Sequence, residues 1–262
     1  MTWLVVARRD VREFRADDTL TYFGAFLGLL GAGIAFAATR GRGAPPLPST
    51  LSVVFTFAVP LTAVTLTHES IPSRVASGRI RLTLSLPHTR TEYVVGVGAA
   101  ALASTLLVTG VAVAAAAVVY AVRGGQVAPL RLAGAFALAA LLAAAFVAGS
   151  LAFTARSRSA TLSTATGYGF FLLSFLWPAV VAVVEVVLAG QFRVAVPDAV
   201  RTAAVHASPI FAFAAALPGV GVDGGFSPAV GSIPAWAGLL VLLAWAAAGT
   251  VLAAGRFDTV DL

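Results

Sequence analysis

"YVVGVGAAALASTLLVTGVAVAAAAVVYAV", Tyr93–Val122, runs for thirty residues without a charge. As a helix it would rise about 45 Å, well beyond the ~30 Å hydrocarbon core of a bilayer. The stretch is therefore predicted to be a membrane helix that tilts or extends into the headgroups. The composition around it agrees. The chain is 59% hydrophobic and 11% charged, with mean hydropathy +0.94, whereas soluble domains carry about 25% charged residues. So few polar residues cannot cover a water-soluble core of 262 residues. An all-α integral membrane protein follows.

Outward from that span, apolar runs of crossing length recur at Leu20–Thr39, Ser49–His68, Leu130–Ala155, Ala160–Ala189 and Ile233–Ala254, which makes six transmembrane helices. "AFA" at 35–37 resembles a signal-peptide cleavage site, but the long apolar run and two preceding aspartates read as an uncleaved helix. Residues 1–19 form an amphipathic prelude: Trp3, Ala7, Val11 and Phe14 share a side, and Arg8, Arg9, Arg12, Glu13 and Arg15 take the others. This pattern suits a helix lying in the headgroup region. Residues 20–262 make up the transmembrane domain. Between the last two spans lies a loop, 190–232, whose apolar middle, "AAVHASPIFAFAAALPG", carries Pro209 and Pro218 and is short for a crossing. It fits an external re-entrant hairpin; a seventh crossing is the alternative. With both termini inside, eleven of the seventeen arginines fall on the cytoplasmic side and six outside, the expected bias.

Absent residues narrow the function. No Cys means no disulfide, Cys-zinc site or thiol nucleophile. All seventeen basic residues are Arg, so the phosphate loop G-x-x-x-x-G-K-[ST] is impossible. If ATP drives this protein, another chain hydrolyses it. His68-Glu69 lacks the second His of a zinc-protease helix, since Pro72 stands there, and Gly149-Ser150 is not embedded in G-x-S-x-G. No catalysis, metal or cofactor is expected in this chain, and no nucleic acid partner.

The most polar internal segment is the loop 69–92, "ESIPSRVASGRIRLTLSLPHTRTE". Ser70 is a candidate cap for a short helix with Pro72 in its first turn and Gly78 at its end. Ile80, Leu82, Leu84 and Leu86 then alternate with polar residues, a strand pattern. A lone strand has no partner for its edges, so a short helix or turn is preferred. Pro87 ends it, and Thr89 or Thr91 starts the third span. The segment exceeds the usual two to eight residues or so of a helix connection. Two readings fit: a docking element for a cytoplasmic partner, or a basic anchor that only holds topology.

These residues resemble the segment after the second span of ABC-2 type transporter permeases. Glu69, Gly78, Leu84, Leu86, Pro87, Arg90 and Gly96 match that pattern in order; Ile80 and Arg81 depart from it. The layout of amphipathic helix, six spans and external hairpin agrees over nearly the whole chain. The resemblance implies an exporter permease in a prokaryotic plasma membrane, multi-pass with both termini cytoplasmic. It implies a second permease copy or homologue as partner, and a separate cytoplasmic ATPase that carries ATP and Mg. It makes the loop a coupling helix, with Glu69, Arg74, Gly78, Arg79, Arg81, Leu84, Leu86, Pro87 and Arg90 as partner-binding residues.

Glu185, an ionisable group in the fifth span, is a candidate pathway residue; near the external end, it could instead snorkel to the interface. Trp177-Pro178 is predicted to kink that span, with neighbours satisfying the freed carbonyl. Gly24, Gly28 and Gly31 permit close helix approach. Walls of Ala, Val, Leu, Gly, Ser and Thr suit an amphiphilic or lipid-like cargo better than an ion. A secondary transporter using Glu185, or an anchoring or assembly protein without transport, are the rival readings.

Overall fold

The computed structural model describes residues 3–41, 43–78, 80, 89–223 and 231–260. Every regular element among them is helical. In chain order they are α1 (Trp3–Ala16), α2 (Thr19–Ala38), α3 (Leu47–Thr67), α4 (Pro72–Ala76), α5 (Arg90–Val122), α6 (Pro129–Thr154), α7 (Ala160–Phe192), α8 (Asp198–His206), α9 (Pro209–Ala216) and α10 (Ala235–Asp258). Six of them, α2, α3, α5, α6, α7 and α10, are long and apolar enough to cross a membrane. The predicted spans match them within a few residues; α5 starts at Arg90, three residues before the apolar run and directly after Thr89, one of the two expected starts.

That earlier start has a local cause. Thr89 is the N-cap: its Oγ1 accepts from the Glu92 amide at 3.1 Å, and Glu92 Oε2 accepts from the Thr89 amide at 3.1 Å. The pattern T-R-T-E is a reciprocal capping box.

The helices pack where side chains are small. α3 is the most enclosed span, between α5 and α6. A Cβ on Gly31 of α2 would lie 2.5 Å from the Ala112 carbonyl oxygen of α5, and one on Gly28 would lie 3.3 Å from Val111. These glycines thus serve internal packing; Gly24 meets nothing within 4 Å. A Cβ on Gly249 of α10 would lie 2.7 Å from the Ala148 carbonyl carbon of α6. Inside α3, Ser52 and Thr56 donate to the helix's own carbonyls. Its hydroxyls that reach other helices stand near its ends, Thr50 with Tyr120 at 2.7 Å and Thr65 with Tyr168 at 3.0 Å.

The N-terminal helix is turned relative to the sequence expectation. Its buried face is Val6, Ala7 and Asp10, while Trp3 is 41% exposed. Gly96 of α5 explains the turn. A Cβ there would meet Trp3 O and Val6 Cβ at 2.7 Å, so the missing side chain makes a seat for Val6. The helix lies against α5 rather than only on a lipid surface, and Arg8, Arg9, Arg12 and Arg15 face outward, exposed.

Helices α8 and α9 are bent by 101° to one another, compatible with the expected re-entrant pair. The nine residues of α8 rise about 13 Å, less than half of a ~30 Å core. At the apex, Trp177 Nε1 donates to Ala204 O at 2.7 Å and Trp245 Nε1 donates to Ala207 O at 2.8 Å. Ser208 Oγ donates to Ser174 O at 2.7 Å. That last bond resolves the proline in α7. Pro178 has no N–H, so the carbonyl four residues earlier, Ser174, loses its helical donor, and the hairpin supplies a replacement.

Replacing Ser208 by Ala should lower thermal stability in detergent by about 1–2 kcal/mol, the cost of a buried carbonyl left without a donor. In a Pro178→Ala background, where the backbone N–H returns, the same substitution should cost markedly less. A double-mutant cycle on melting temperature reads the difference.

Candidate functional site

The bundle has two ends. One gathers α1, α4, the start of α5, the 155–159 connector and the end of α10. The other holds the 39–46 turn, the 123–128 turn and the α8–α9 hairpin. The first end carries most of the charge.

Its organising group is Arg74, on the short helix α4. Ser70 does not cap that helix as expected. Its hydroxyl donates back to Thr67 O at 2.7 Å, and Ile71 occupies the cap position. Together with the Ser73 hydroxyl on Glu69 O at 2.6 Å, this closes the turn out of α3. Gly78, at φ +70°, ends α4 in the left-handed conformation that glycine adopts without steric cost. Between these points Arg74 turns inward. Its Nη1 donates to Asp10 Oδ2 at 2.7 Å and to Tyr93 Oη at 3.3 Å, and its Nη2 donates to Glu13 Oε2 at 2.9 Å. Asp10 is 1% exposed and also accepts from Arg9 at 3.1 Å. One guanidinium thus joins α4, α1 and α5.

Arg90 performs a second joining. Its Nη1 reaches the carbonyls of Phe257 at 3.1 Å, Asp258 at 2.7 Å and Val260 at 2.9 Å. The last carbonyls of a helix lack internal donors and carry its negative dipole end, so a cation there both bonds and neutralises. The Tyr93 and Phe257 rings, with centroids 5.6 Å apart, pack beside it. Glu69, half exposed, accepts from Thr164 of α7 at 2.9 Å and lies 3.6 Å from His68 Nε2. A cleft of about 710 Å³ opens among Glu13, Asp17, His68, Glu69, Ser73 and Arg74.

Of the residues singled out in the sequence, Glu69, Arg74, Gly78 and Arg90 stand at this end, with Arg74 and Arg90 committed to bonds within the fold. Arg79, Arg81, Leu84, Leu86 and Pro87 lie outside the described residues, as does the alternating stretch beyond Ile80, which is itself buried. Glu185 lies at the opposite end. Its Oε1 is 3.7 Å from Arg201 Nη1 on α8, and Arg201 also donates to Asp198 at 2.7 Å. The sequence reading missed Asp10, Tyr93 and Arg201 as partners. For Asp10 a signal existed: an acid one position off the apolar stripe of α1, in register to be drawn in with Val6. Among the described residues no group of three or more His, Cys, Asp or Glu is placed to hold a metal.

These features define a multi-pass helical membrane protein whose charged end is built around the connection between its second and third spans. The ABC-2 family transporter protein model matches residues 4–262, and the chain belongs to that family. Members are membrane permease components, not themselves catalytic, that generally work with a cytoplasmic ATPase subunit. A search of curated proteins gives no match.

Arg74→Gln should strand Asp10 as a buried, poorly compensated carboxylate and cost about 3–5 kcal/mol. Adding Asp10→Asn should recover part of that loss. Thermal melting in detergent checks both, and limited proteolysis should cut the single variant first at the α1–α2 junction.

Proposed function

We propose that this chain is the transmembrane subunit of an ATP-driven exporter. It pairs with a second permease copy or homologue to enclose the translocation path. A separate cytoplasmic subunit binds ATP and Mg and docks on the loop 69–92. The membrane is the plasma membrane of a prokaryote, with both termini cytoplasmic.

The observation that carries this reading is the bonding at the two ends of the loop. Near its start, Arg74 is tied to α1 and α5. Near its end, Arg90 is tied to the end of α10. A push on the loop is therefore delivered to three membrane-associated helices through charge-assisted bonds, which are stronger than neutral ones. A loop that served topology alone needs its charges near the headgroups, not engaged in the fold. The chain supplies the moving part, and the absence of any lysine leaves hydrolysis to the partner. The rival reading, a secondary transporter, needs an intramembrane relay. Glu185, its best candidate, is paired with Arg201 beside the hairpin.

Affinity purification of tagged protein in mild detergent, followed by mass spectrometry, tests the reading. A stoichiometric chain bearing a phosphate loop should be recovered, and should be lost when Arg79, Arg81 and Leu84 are changed together. Recovery without any ATPase, under conditions that preserve a known permease–ATPase complex, would reject the proposal and turn attention to Glu185. Orientation is read separately, because the chain has no native cysteine. A single Cys at Ser157 should resist an impermeant thiol reagent in intact cells and react in inverted vesicles, while one at Gly41 should do the opposite.

A further inference from the structure

Between α6 and α10 a groove of about 440 Å³ opens sideways from the bundle. Its floor exists because the two helices meet almost backbone to backbone at Gly249 and Ala148, flanked by Gly149, Ala152 and Ala248. On α10 the lining residues Val241, Trp245, Ala248, Leu252 and Arg256 recur every three or four positions, forming one stripe along the helix. Ala207, Ala244, Ala248 and Leu252 are exposed, so the trough faces the bilayer rather than the bundle interior.

The two ends of the trough differ. Toward one end it runs past Trp245, whose Nε1 is bonded to Ala207 at the apex of the hairpin, to the uncharged Ala244 and Val241. The other ends at Arg256, whose Nη1 donates to Ala152 O at 2.7 Å and whose guanidinium stands 5.9 Å from the Phe153 ring centroid. That hydrogen bond uses one of five N–H donors. Among the described lining residues Arg256 is the one with a charge, and none is a carboxylate. On α10 the lining runs from Val241 to Arg256, a rise of about 22 Å, within the ~30 Å of a hydrocarbon core. The trough is lined by apolar side chains along its length and is cationic at its Arg256 end.

We infer that this groove binds one anionic glycerophospholipid from the leaflet on the side of the chain termini, with an acyl chain along the small-residue floor and the phosphate on Arg256. The charge at the headgroup end selects the anionic lipid over a zwitterionic one. An apolar trough open to the bilayer with a single cation at one end matches an amphiphile with an anionic headgroup better than a protein segment. This inference does not depend on the ATPase or on transport.

The test uses full-length protein in detergent, titrated with phosphatidylglycerol or phosphatidylcholine and read by native mass spectrometry and by melting temperature. The unaltered chain should hold about one phosphatidylglycerol and be stabilised by it more than by phosphatidylcholine. Arg256→Gln should weaken phosphatidylglycerol about fivefold, to the phosphatidylcholine level, and Arg256→Lys should keep most of the preference. Ala248→Leu fills the trough and should weaken both lipids while Arg256 remains, so it still decides the matter if Arg256→Gln does not fold. Unchanged phosphatidylglycerol binding in Ala248→Leu, or no preference between the two lipids in the unaltered chain, overturns the inference. So does cross-linking of Ala248→Cys to a second copy in the bilayer, which would make the groove a protein interface.

Discussion

Backbone amides and carbonyls inside a bilayer have no water to bond, and each one left bare costs several kcal/mol. The hairpin α8–α9 meets that constraint directly. Its helices break at Ala207 and Ser208, and carbonyls at and just before the break accept from α7 and α10: Ala204 from Trp177, Ala207 from Trp245. The traffic also runs the other way, since Ser208 supplies the donor that Pro178 denies to Ser174. The hairpin and α7 thus complete one another. Helix α7 has few buried residues, all in its first half, and these bonds hold its middle to the rest of the molecule.

The opposite end uses charge instead. Arg74 and Arg90 sit near the two ends of the 69–92 loop, and each bonds to elements distant in sequence. Buried ion pairs add little net stability, because desolvation offsets most of the attraction, but breaking one is costly. What such pairs contribute here is geometry. Asp10 fixes the rotation of α1 about its own axis, and the C-terminal carbonyls of α10 fix its distance from the first turn of α5.

The six spans could be read from the sequence because each is a long uncharged run, and bilayer thickness sets their length. The hairpin was readable for the same reason in reverse: its apolar middle was too short and carried two prolines, Pro209 and Pro218. Side-chain partnerships were harder. The rotation of α1 depends on the gap left by Gly96, some ninety residues away in sequence, and no periodicity within α1 encodes it. Ser70 looked like a cap by residue type, yet its hydroxyl donates to Thr67 O and Ile71 stands at the cap. The Thr89–Glu92 box, by contrast, was written in four adjacent residues and needed only spacing to find. Arg90 matched a family pattern, but its three carbonyl partners belong to the far end of the chain.

The bonding of α3 has a mechanical meaning. Ser52 and Thr56 spend their hydroxyls on the helix itself, and the bonds to Tyr120 and Tyr168 sit near its two ends. Between those ends α3 meets its neighbours through apolar side chains, with the Phe57 ring stacked on Phe175 of α7 at 4.6 Å between centroids. Ring stacking has a preferred geometry, so it adds a third fixed station between the two hydroxyl bonds. Such a helix behaves as a shaft pinned along its length, held against withdrawal along its axis and against twist about it.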